Sequence, residues 1–177
     1  LSAGSESIVD FEGTWWVAHT KARFEKVFAW DLSGYDINYF LPMRRKITFS
    51  GGRKRQVMVP LFTSYVFFCG SETDRYMALT TNRLCQTIEV VDQTDLILQL
   101  SAIEKALLSR AILDVYPHLP VGTPCRITSG PLLGTEGVII ERKNEKARMV
   151  LEVTILGQGA IVEVDADLLE STSTLQG

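Results

Sequence analysis

Six basic side chains lie close together in the sequence, with no acidic residue between them. They form two triplets within twelve residues: Arg44, Arg45 and Lys46, then Arg53, Lys54 and Arg55. Unopposed positive charges repel one another and attract phosphate groups or acidic surfaces. The cluster therefore predicts contact with DNA or with an acidic protein surface. The alternative is a solvated loop without a partner.

Residue types that usually catalyse reactions or bind metals are few and scattered. The only histidines, His19 and His118, have no nucleophile or carboxylate at a suggestive spacing. Cys69, Cys85 and Cys125 are spaced for neither a zinc site nor a disulfide framework, so we expect buried thiols. No Gly-rich phosphate loop is present. The sequence thus predicts no enzyme, no metal site and no cofactor.

Composition and charge are those of an ordinary folded protein. The 177 residues are 46% hydrophobic and 22% charged, with a net charge of −3. No apolar run approaches the roughly 18 residues that span a bilayer. The first thirteen residues carry acids and lack the order of a signal peptide. We therefore expect a cytoplasmic monomer without a membrane segment.

The pattern of apolar residues predicts the elements that position the basic cluster. Strands are predicted at Trp15–Thr20, Tyr35–Leu41, Ile47–Phe49, Gln56–Val59, Tyr65–Phe68 and Leu84–Val91. Helices are predicted from Arg23 to Gly34, from Ser71 to Leu79 and from Asp92 to Val115. The second of them is expected to be capped by Ser71, with Asp74 in its first turn. Because Gly51-Gly52 joins the third and fourth strands, the basic cluster should lie at the tip of a hairpin.

The sequence changes character after two prolines, Pro117 and Pro120. Short β-rich runs follow at Cys125–Thr128, Val138–Glu141, Arg148–Ile155 and Ile161–Val164, a spacing that suggests a five-stranded barrel. The fold class is therefore α+β with two domains. The predicted divisions are a loosely held leader 1–13, a first domain 14–115, a proline-rich linker 116–120, a second domain 121–170 and a tail 171–177.

Two groups of motifs together resemble one known family. The first domain reads W-W-V-x-x-T-K-x-R-x-E-K from Trp15 to Lys26, then F-L-P at residues 40–42 and V-P-L-F-x-x-Y-V-F at residues 59–67. This order resembles the amino-terminal domain of NusG. Residues 121–139 read V-G-x-x-C-R-I-x-x-G-P-L-x-G-x-x-G-V-I, which is similar to a KOW motif. The resemblance covers about residues 13 to 170.

The resemblance implies a fold and a function. The expected fold is an antiparallel sheet with flanking helices, followed by a small SH3-like β-barrel, the KOW domain. The implied function is transcription elongation or antitermination, in which the first domain binds the clamp helices of the largest RNA polymerase subunit. The residues implied to bind polymerase are His19, Phe62, Tyr65, Phe67 and Leu84; for the aromatic residues and for Leu84 the alternative is packing in the core. The basic hairpin would point toward non-template DNA at the upstream edge of the transcription bubble.

Two departures from the family pattern change what is expected. Thr63-Ser64 stands where the family usually has Pro-Gly; the turn should still form because Ser and Thr favour turns. Strand alternation predicts that only one side of the following strand is buried.

The second domain departs more. Its partner-binding loop carries Leu132, Leu133 and Thr135, where housekeeping members carry phenylalanines that bind Rho or a ribosomal protein. Leucine lacks the flat aromatic anchor that interfaces favour. This weakens the expectation of those two partners and favours a specialised paralogue similar to RfaH and the polysaccharide-operon regulators.

The alternative function is a ribosome- or RNA-associated KOW protein. Such proteins are usually strongly basic, whereas residues 121–177 hold 5 basic and 8 acidic side chains. An apolar protein partner suits this domain better. In the KOW-like motif of the second domain, Gly130, Gly134 and Gly137 are expected at tight corners of the barrel or where two backbone segments approach closely.

Overall fold

The computed structural model describes residues 6–172, and the chain forms two compact units, one up to Ile97 and one from Leu98 onward. The first unit contains strands β1 Thr14–Thr20, β2 Asn38–Phe40, β3 Met43–Ser50, β4 Arg53–Pro60, β5 Tyr65–Gly70 and β6 Leu84–Glu89. Its helices are α1 Glu25–Gly34 and α2 Glu72–Thr80, and α3 Gln93–Leu108 begins in it. This combination of helices and antiparallel strands confirms the predicted α+β fold class.

The main sheet of the first unit has the antiparallel order β2-β5-β1-β6. On one face, Trp16 of β1 and Phe68 of β5 face each other, with ring centroids 5.6 Å apart. Phe28 of α1 meets the same Phe68 ring edge-on at 6.1 Å. Ala78 of α2 joins this cluster, so both helices cover one face of the sheet.

The opposite face is buried as well. Trp15, Val17 and Phe67 point to this side and are almost inaccessible, and Phe11 stacks on Trp15 with centroids 5.8 Å apart. The expectation that only one side of β5 is buried is therefore wrong. The prediction of a loosely held leader is also wrong for Ile8 and Phe11, because both side chains are buried. Residues 1–5 of that leader lie outside the described part.

A glutamine side chain bonds β1 at Trp15, one residue beyond the end of its pairing with β6. The Trp15 N–H donates to Gln93 Oε1 at 2.8 Å, and Gln93 Nε2 donates to the Trp15 carbonyl at 3.0 Å. The side-chain amide thus replaces a ladder partner and satisfies both backbone groups of Trp15. This fixes the start of α3 against the sheet of the first unit.

Helix boundaries follow local signals. Ser71 caps α2 in a capping box with Asp74, as the sequence predicted. Helix α1 begins at Glu25 instead of Arg23 because Arg23 has a φ of 67°, which no right-handed helix accepts. Strand β2 is shorter than predicted, since the N–H of Tyr35 still bonds the last turn of α1.

Helix α3 ends earlier than predicted, which corrects the interpretation of residues 109–116. Arg110 has a φ of 58°, and the segment that follows turns into a short strand, β7 Asp114–Tyr116. The prediction of helix to Val115 is therefore wrong, and Tyr116 belongs to a strand instead of a proline-rich linker.

The second unit is an antiparallel sheet of six strands in the order β12-β8-β9-β10-β11-β7. The strands not yet given are β8 Thr123–Ile127, β9 Glu136–Lys143, β10 Lys146–Val153, β11 Gln158–Asp165 and β12 Leu169–Ser171. It has one strand more than expected, because β7 pairs with β11. Ser171, expected in the tail, pairs with Cys125; residues 173–177 lie outside the described part.

A bulge and a glycine bend this second sheet. The register of β9 against β10 shifts between Arg148 and Met149, a bulge that increases local twist. A Cβ on Gly137 would lie 2.7 Å from the Val150 carbonyl oxygen, so only glycine permits this close approach. Gly134 has a φ of 83°, which confirms the predicted corner.

Candidate functional site

Register brings three side chains into one row at an end of the main sheet. Tyr65 of β5 and Gln86 of β6 flank His19 of β1, directly opposite it on either side. The His19 and Tyr65 rings stack, with centroids 5.1 Å apart and planes 23° apart. Both are half-buried and Gln86 is exposed. The row is thus an accessible, semi-aromatic surface beside a buried sheet, and Gln86 is a member that the sequence reasoning missed.

Two other predicted contact residues lie beneath the surface. Phe62 is 1% exposed and Phe67 is 0% exposed, and their rings meet edge-on at 6.3 Å. Phe67 pairs with Val17 in the next row of the same face as His19 and Tyr65. In this conformation the Tyr65–His19 row is accessible at the surface, whereas Phe62 and Phe67 are covered by other side chains.

Leu84 does not share this face. The register between β1 and β6 shifts between His19 and Thr20, so that Leu84 pairs with Thr20. Leu84 is half-buried and packs against the cluster that contains Trp16 and Ala78. The predicted extension of the patch by Leu84 is therefore wrong, because a bulge turns this residue to the opposite face.

The Thr63-Ser64 turn forms and is held by a buried carboxylate. Ser64 has a φ of 67°, a conformation that glycine adopts without strain. Its N–H donates to Glu25 Oε1 at 2.8 Å, and its carbonyl accepts from the Thr20 N–H at 2.9 Å. Glu25 is buried. The turn is thus tied both to α1 and to the end of β1, next to His19.

The basic cluster lies on a two-stranded hairpin, as predicted, but only its second triplet lies at the tip, because residues 44–46 lie toward the base. Gly51 and Gly52 have φ of 57° and 72°, which is the backbone of a two-residue hairpin turn with positive φ at both positions. At its base, the Leu61 N–H bonds the Pro42 carbonyl at 2.8 Å, and Lys26 Nζ bonds the Met58 carbonyl at 2.7 Å. The predicted strands extend further, to Met43–Ser50 and Arg53–Pro60.

Pairing in the hairpin divides the six charges between its two faces. Directly paired residues share a face of an antiparallel ladder. The face that we call the charged face carries the pairs Arg44–Val59, Lys46–Val57, Thr48–Arg55 and Ser50–Arg53. The face that we call the mixed face carries the pairs Arg45–Met58, Ile47–Gln56 and Phe49–Lys54.

Exposed apolar side chains on the mixed face were missed by the sequence reasoning. Phe49 is 76% exposed, and Ile47 and Met58 are about half exposed. A two-residue turn fixes the register, so this division could have been read from Gly51-Gly52 and the alternation of charged and apolar residues.

The loop of the second unit that was predicted to bind a partner exposes one of its three predicted residues. Leu133 is 54% exposed, and its carbonyl accepts a hydrogen bond from Lys105 Nζ. Leu132 is half-buried and lines a pocket with Ile127 and Leu168. Thr135 is buried, and its backbone bonds to Ile127 and Leu132. Thr135 thus builds the loop, and a partner contact by its side chain is not compatible with this burial.

The cysteines differ in environment. Cys69 and Cys125 are buried, but Cys85 is exposed, which corrects the expectation for that residue. Burial, with a smaller effect of Asp74, raises the pKa of Cys69 to about 11. The Cys69 thiol is therefore protonated at neutral pH.

Within residues 6–172, no group of three or more His, Cys, Asp or Glu could hold a metal ion. In the same part of the chain, no helix is long and apolar enough to cross a membrane.

Comparison with known proteins identifies the family of the chain and a solved structure with the same fold. The family model for NusG, described as transcription termination factor nusG, matches residues 13–106, more than half of the chain. The solved structure on domain interaction in Thermotoga maritima NusG has a TM-score of 0.54 and 16% identity, over 92% of this chain and 98% of that one. At this identity the likeness shows a shared fold. The MjSpt4:Spt5 complex in conformation B is 13% identical over 92% of this chain and 99% of that chain. Its TM-score of 0.27 is too low to support an argument. No curated protein sequence matches the chain significantly.

Proposed function

Because the chain belongs to the NusG family, we propose that it is a transcription elongation or antitermination factor that binds RNA polymerase through its first unit. The match of the NusG model to residues 13–106 carries this proposal, since it spans both the main sheet and the basic hairpin. The proposed partner is the pair of clamp helices on the largest polymerase subunit. The role is that of a binding protein, without catalysis and without a cofactor.

The proposed docking surface is the row of Tyr65, His19 and Gln86. Stacked rings beside a polar edge combine apolar area with hydrogen-bonding groups, which suits a helix surface as partner. Phe62 and Phe67 belong to the proposal as buried residues, Phe67 in the next row of the same face, and they contribute contacts only if the side chains that cover them move. Leu84 supports the sheet from the opposite face.

Co-purification with polymerase tests the docking surface. We expect the tagged wild-type chain to retain polymerase, and a His19→Ala, Tyr65→Ala variant to lose about tenfold or more in affinity, since central aromatic contacts each contribute about 1–2 kcal/mol. Tyr76→Ala is the matched control, because Tyr76 is a 67% exposed aromatic on α2. Equal retention by both variants, with both folded, would show that polymerase does not bind this row.

The basic hairpin is proposed to contact non-template DNA or an acidic polymerase surface. Its six cations occur without an acidic residue in strands β3 and β4. Neutralising Arg53, Lys54 and Arg55 should weaken recruitment chiefly at low salt, because each lost phosphate contact lowers the salt dependence of binding by about 0.7–0.9 in logarithmic slope.

The control for this experiment removes charge elsewhere. Arg142 and Lys143 are exposed on β9 in the second unit, and their replacement by alanine should leave recruitment unchanged. Recruitment that stays unchanged across a salt series in the hairpin variant would show that the hairpin is only a solvated arm.

For the second unit, we propose a protein partner that contacts the loop at Leu132 and Leu133. The net negative charge of residues 121–177 opposes direct RNA binding. Leucines in this KOW loop support a specialised paralogue of the RfaH or polysaccharide-operon type, in preference to a factor that recruits Rho or a ribosomal protein. A Leu133→Asp variant should lose the protein bound by the wild-type unit without loss of polymerase. Capture of RNA instead of protein would favour the ribosome-associated alternative.

A further inference from the structure

We infer that the mixed face of the hairpin stacks on unpaired bases of single-stranded nucleic acid, with Phe49 as the stacking ring. The inference rests on the proposed function of the hairpin as a DNA-contacting arm. It adds that the mixed face of the hairpin recognises unpaired bases. The charged face can hold phosphates of any nucleic acid. The mixed face is where a distinction between single and double strands would arise.

The position of Phe49 is the first observation. Its ring is 76% exposed, two residues from the Gly51-Gly52 turn, on a hairpin that forms a two-stranded sheet of its own. An apolar ring that gains nothing from the protein's own core is free to contact a partner. Ile47 lies two residues before Phe49 on the same face and adds exposed apolar area next to it.

The cations on the same face decide between a nucleic acid and a protein. Lys54 is paired directly opposite Phe49, and Arg45 directly opposite Met58. A protein docked on this face would bury Lys54 beside the ring, whereas lysine is depleted at protein interfaces. Binding of a single strand needs both features, since bases stack on aromatic rings while neighbouring phosphates meet positive charge.

The chemistry of the ring decides between single and double strands. In a duplex groove a phenylalanine ring reaches the thymine methyl group only, because the base edges otherwise present hydrogen-bonding groups. The flat faces of bases are covered inside a duplex and become accessible where the strands separate. Phe49 is therefore suited to an unpaired base and gives little sequence preference, because every base has such a face.

Fluorescence quenching in the full chain tests the inference. The probe is a mixed-sequence DNA oligonucleotide with one 2-aminopurine, used single-stranded and as a duplex, since stacking on a ring quenches this base. We expect the wild type to prefer the single strand and to quench its fluorescence. Phe49→Leu keeps apolar area but removes the ring, and should weaken single-strand binding about fivefold or more. Phe49→Trp should retain both binding and quenching.

Controls separate the ring from charge and from folding. Tyr76→Ala removes an exposed aromatic outside the hairpin and should bind as the wild type does. Neutralising Arg53, Lys54 and Arg55 should lower the salt slope, whereas Phe49→Leu should leave that slope unchanged.

Several results would overturn the inference. One is a wild-type chain that binds single strand and duplex equally well. Another is a Phe49→Leu variant that binds the single strand and quenches its 2-aminopurine as the wild type does. Loss of polymerase by Phe49→Leu with unchanged DNA binding would instead make the mixed face a protein contact. Failure of the wild type to retain polymerase would refute the proposed function, while the oligonucleotide result would still decide what the mixed face binds.

Discussion

The β1–β5 ladder and the β3–β4 hairpin are both antiparallel pairs, yet their burial is opposite. Four consecutive residues of β5, from Val66 to Cys69, are buried, so both faces of that strand are covered. In the hairpin, every residue from Phe49 to Met58 is exposed. A continuous apolar run in one ladder and a division into charged and mixed faces in the other account for this difference.

The difference separates stability from binding. An isolated two-stranded hairpin is at best marginally stable in water. This one is attached at its base, where Met43 joins the core cluster and Lys26 bonds the Met58 carbonyl. Its outer half can therefore change in sequence with little effect on the fold, while the ladder of β1 and β5 cannot.

The largest expected difference between the two ladders is in the effect of truncating one phenylalanine in each. Phe68→Ala removes a 0% exposed ring packed against Trp16 and Phe28, and should lower the free energy of unfolding by about 3–5 kcal/mol. Phe49→Ala should change it by less than about 1 kcal/mol, since only a cross-strand pair is lost. Urea unfolding followed by tryptophan fluorescence reports on the first unit, because all three tryptophans lie there. Similar losses in the two variants would show that the hairpin contributes to the core.

Local signals explain which elements could be predicted. The hairpin through Gly51-Gly52 and the Ser71 cap of α2 depend on residues within a few positions, and both are confirmed. The end of α3 could not be predicted, because Ile112 and Leu113 continue the apolar pattern although Arg110 leaves the helical conformation. Strand β7 depends on pairing with β11, more than forty residues away along the chain.

The candidate site shows the same limit. His19 and Tyr65 could be named from their motif, but their stacking and the inclusion of Gln86 depend on strand register. The position of Leu84 on the other face depends on a bulge that no local signal marks. Burial of Phe62 and Phe67 depends on cover from elsewhere in the chain, which alternation along one strand does not reveal.

The buried thiol of Cys69 should make the β1–β5 ladder sensitive to alkaline pH. Its pKa is raised to about 11, mainly by burial, so the neutral form is favoured in the folded state. The stability that this provides is present below the pKa of the unfolded thiol, near 9, and is lost as the pH rises toward 11. By pH 11 the loss should be on the order of 2 kcal/mol.

Alanine variants isolate this effect from other groups that titrate at high pH. Cys69→Ala should remove that part of the decline in unfolding free energy between pH 8 and pH 11. Cys85→Ala should leave the decline unchanged, because Cys85 is exposed. Identical pH profiles for wild type and Cys69→Ala would contradict the assignment.

The turn before β5 gives the smallest expected change in stability. It has serine at a positive φ, whereas the hairpin turn has glycine at both such positions. Ser64→Val places a branched side chain at a φ of 67° and should lower the free energy of unfolding by about 1–2 kcal/mol. Ser64→Gly should be neutral or slightly stabilising, and Thr63→Val, at the exposed neighbour, should have little effect. Because the Ser64 carbonyl holds the Thr20 N–H beside His19, Ser64→Val should also weaken polymerase retention, while Thr63→Val should not. Equal stability of Ser64→Val and Thr63→Val in urea would show that the left-handed conformation at this position is not required.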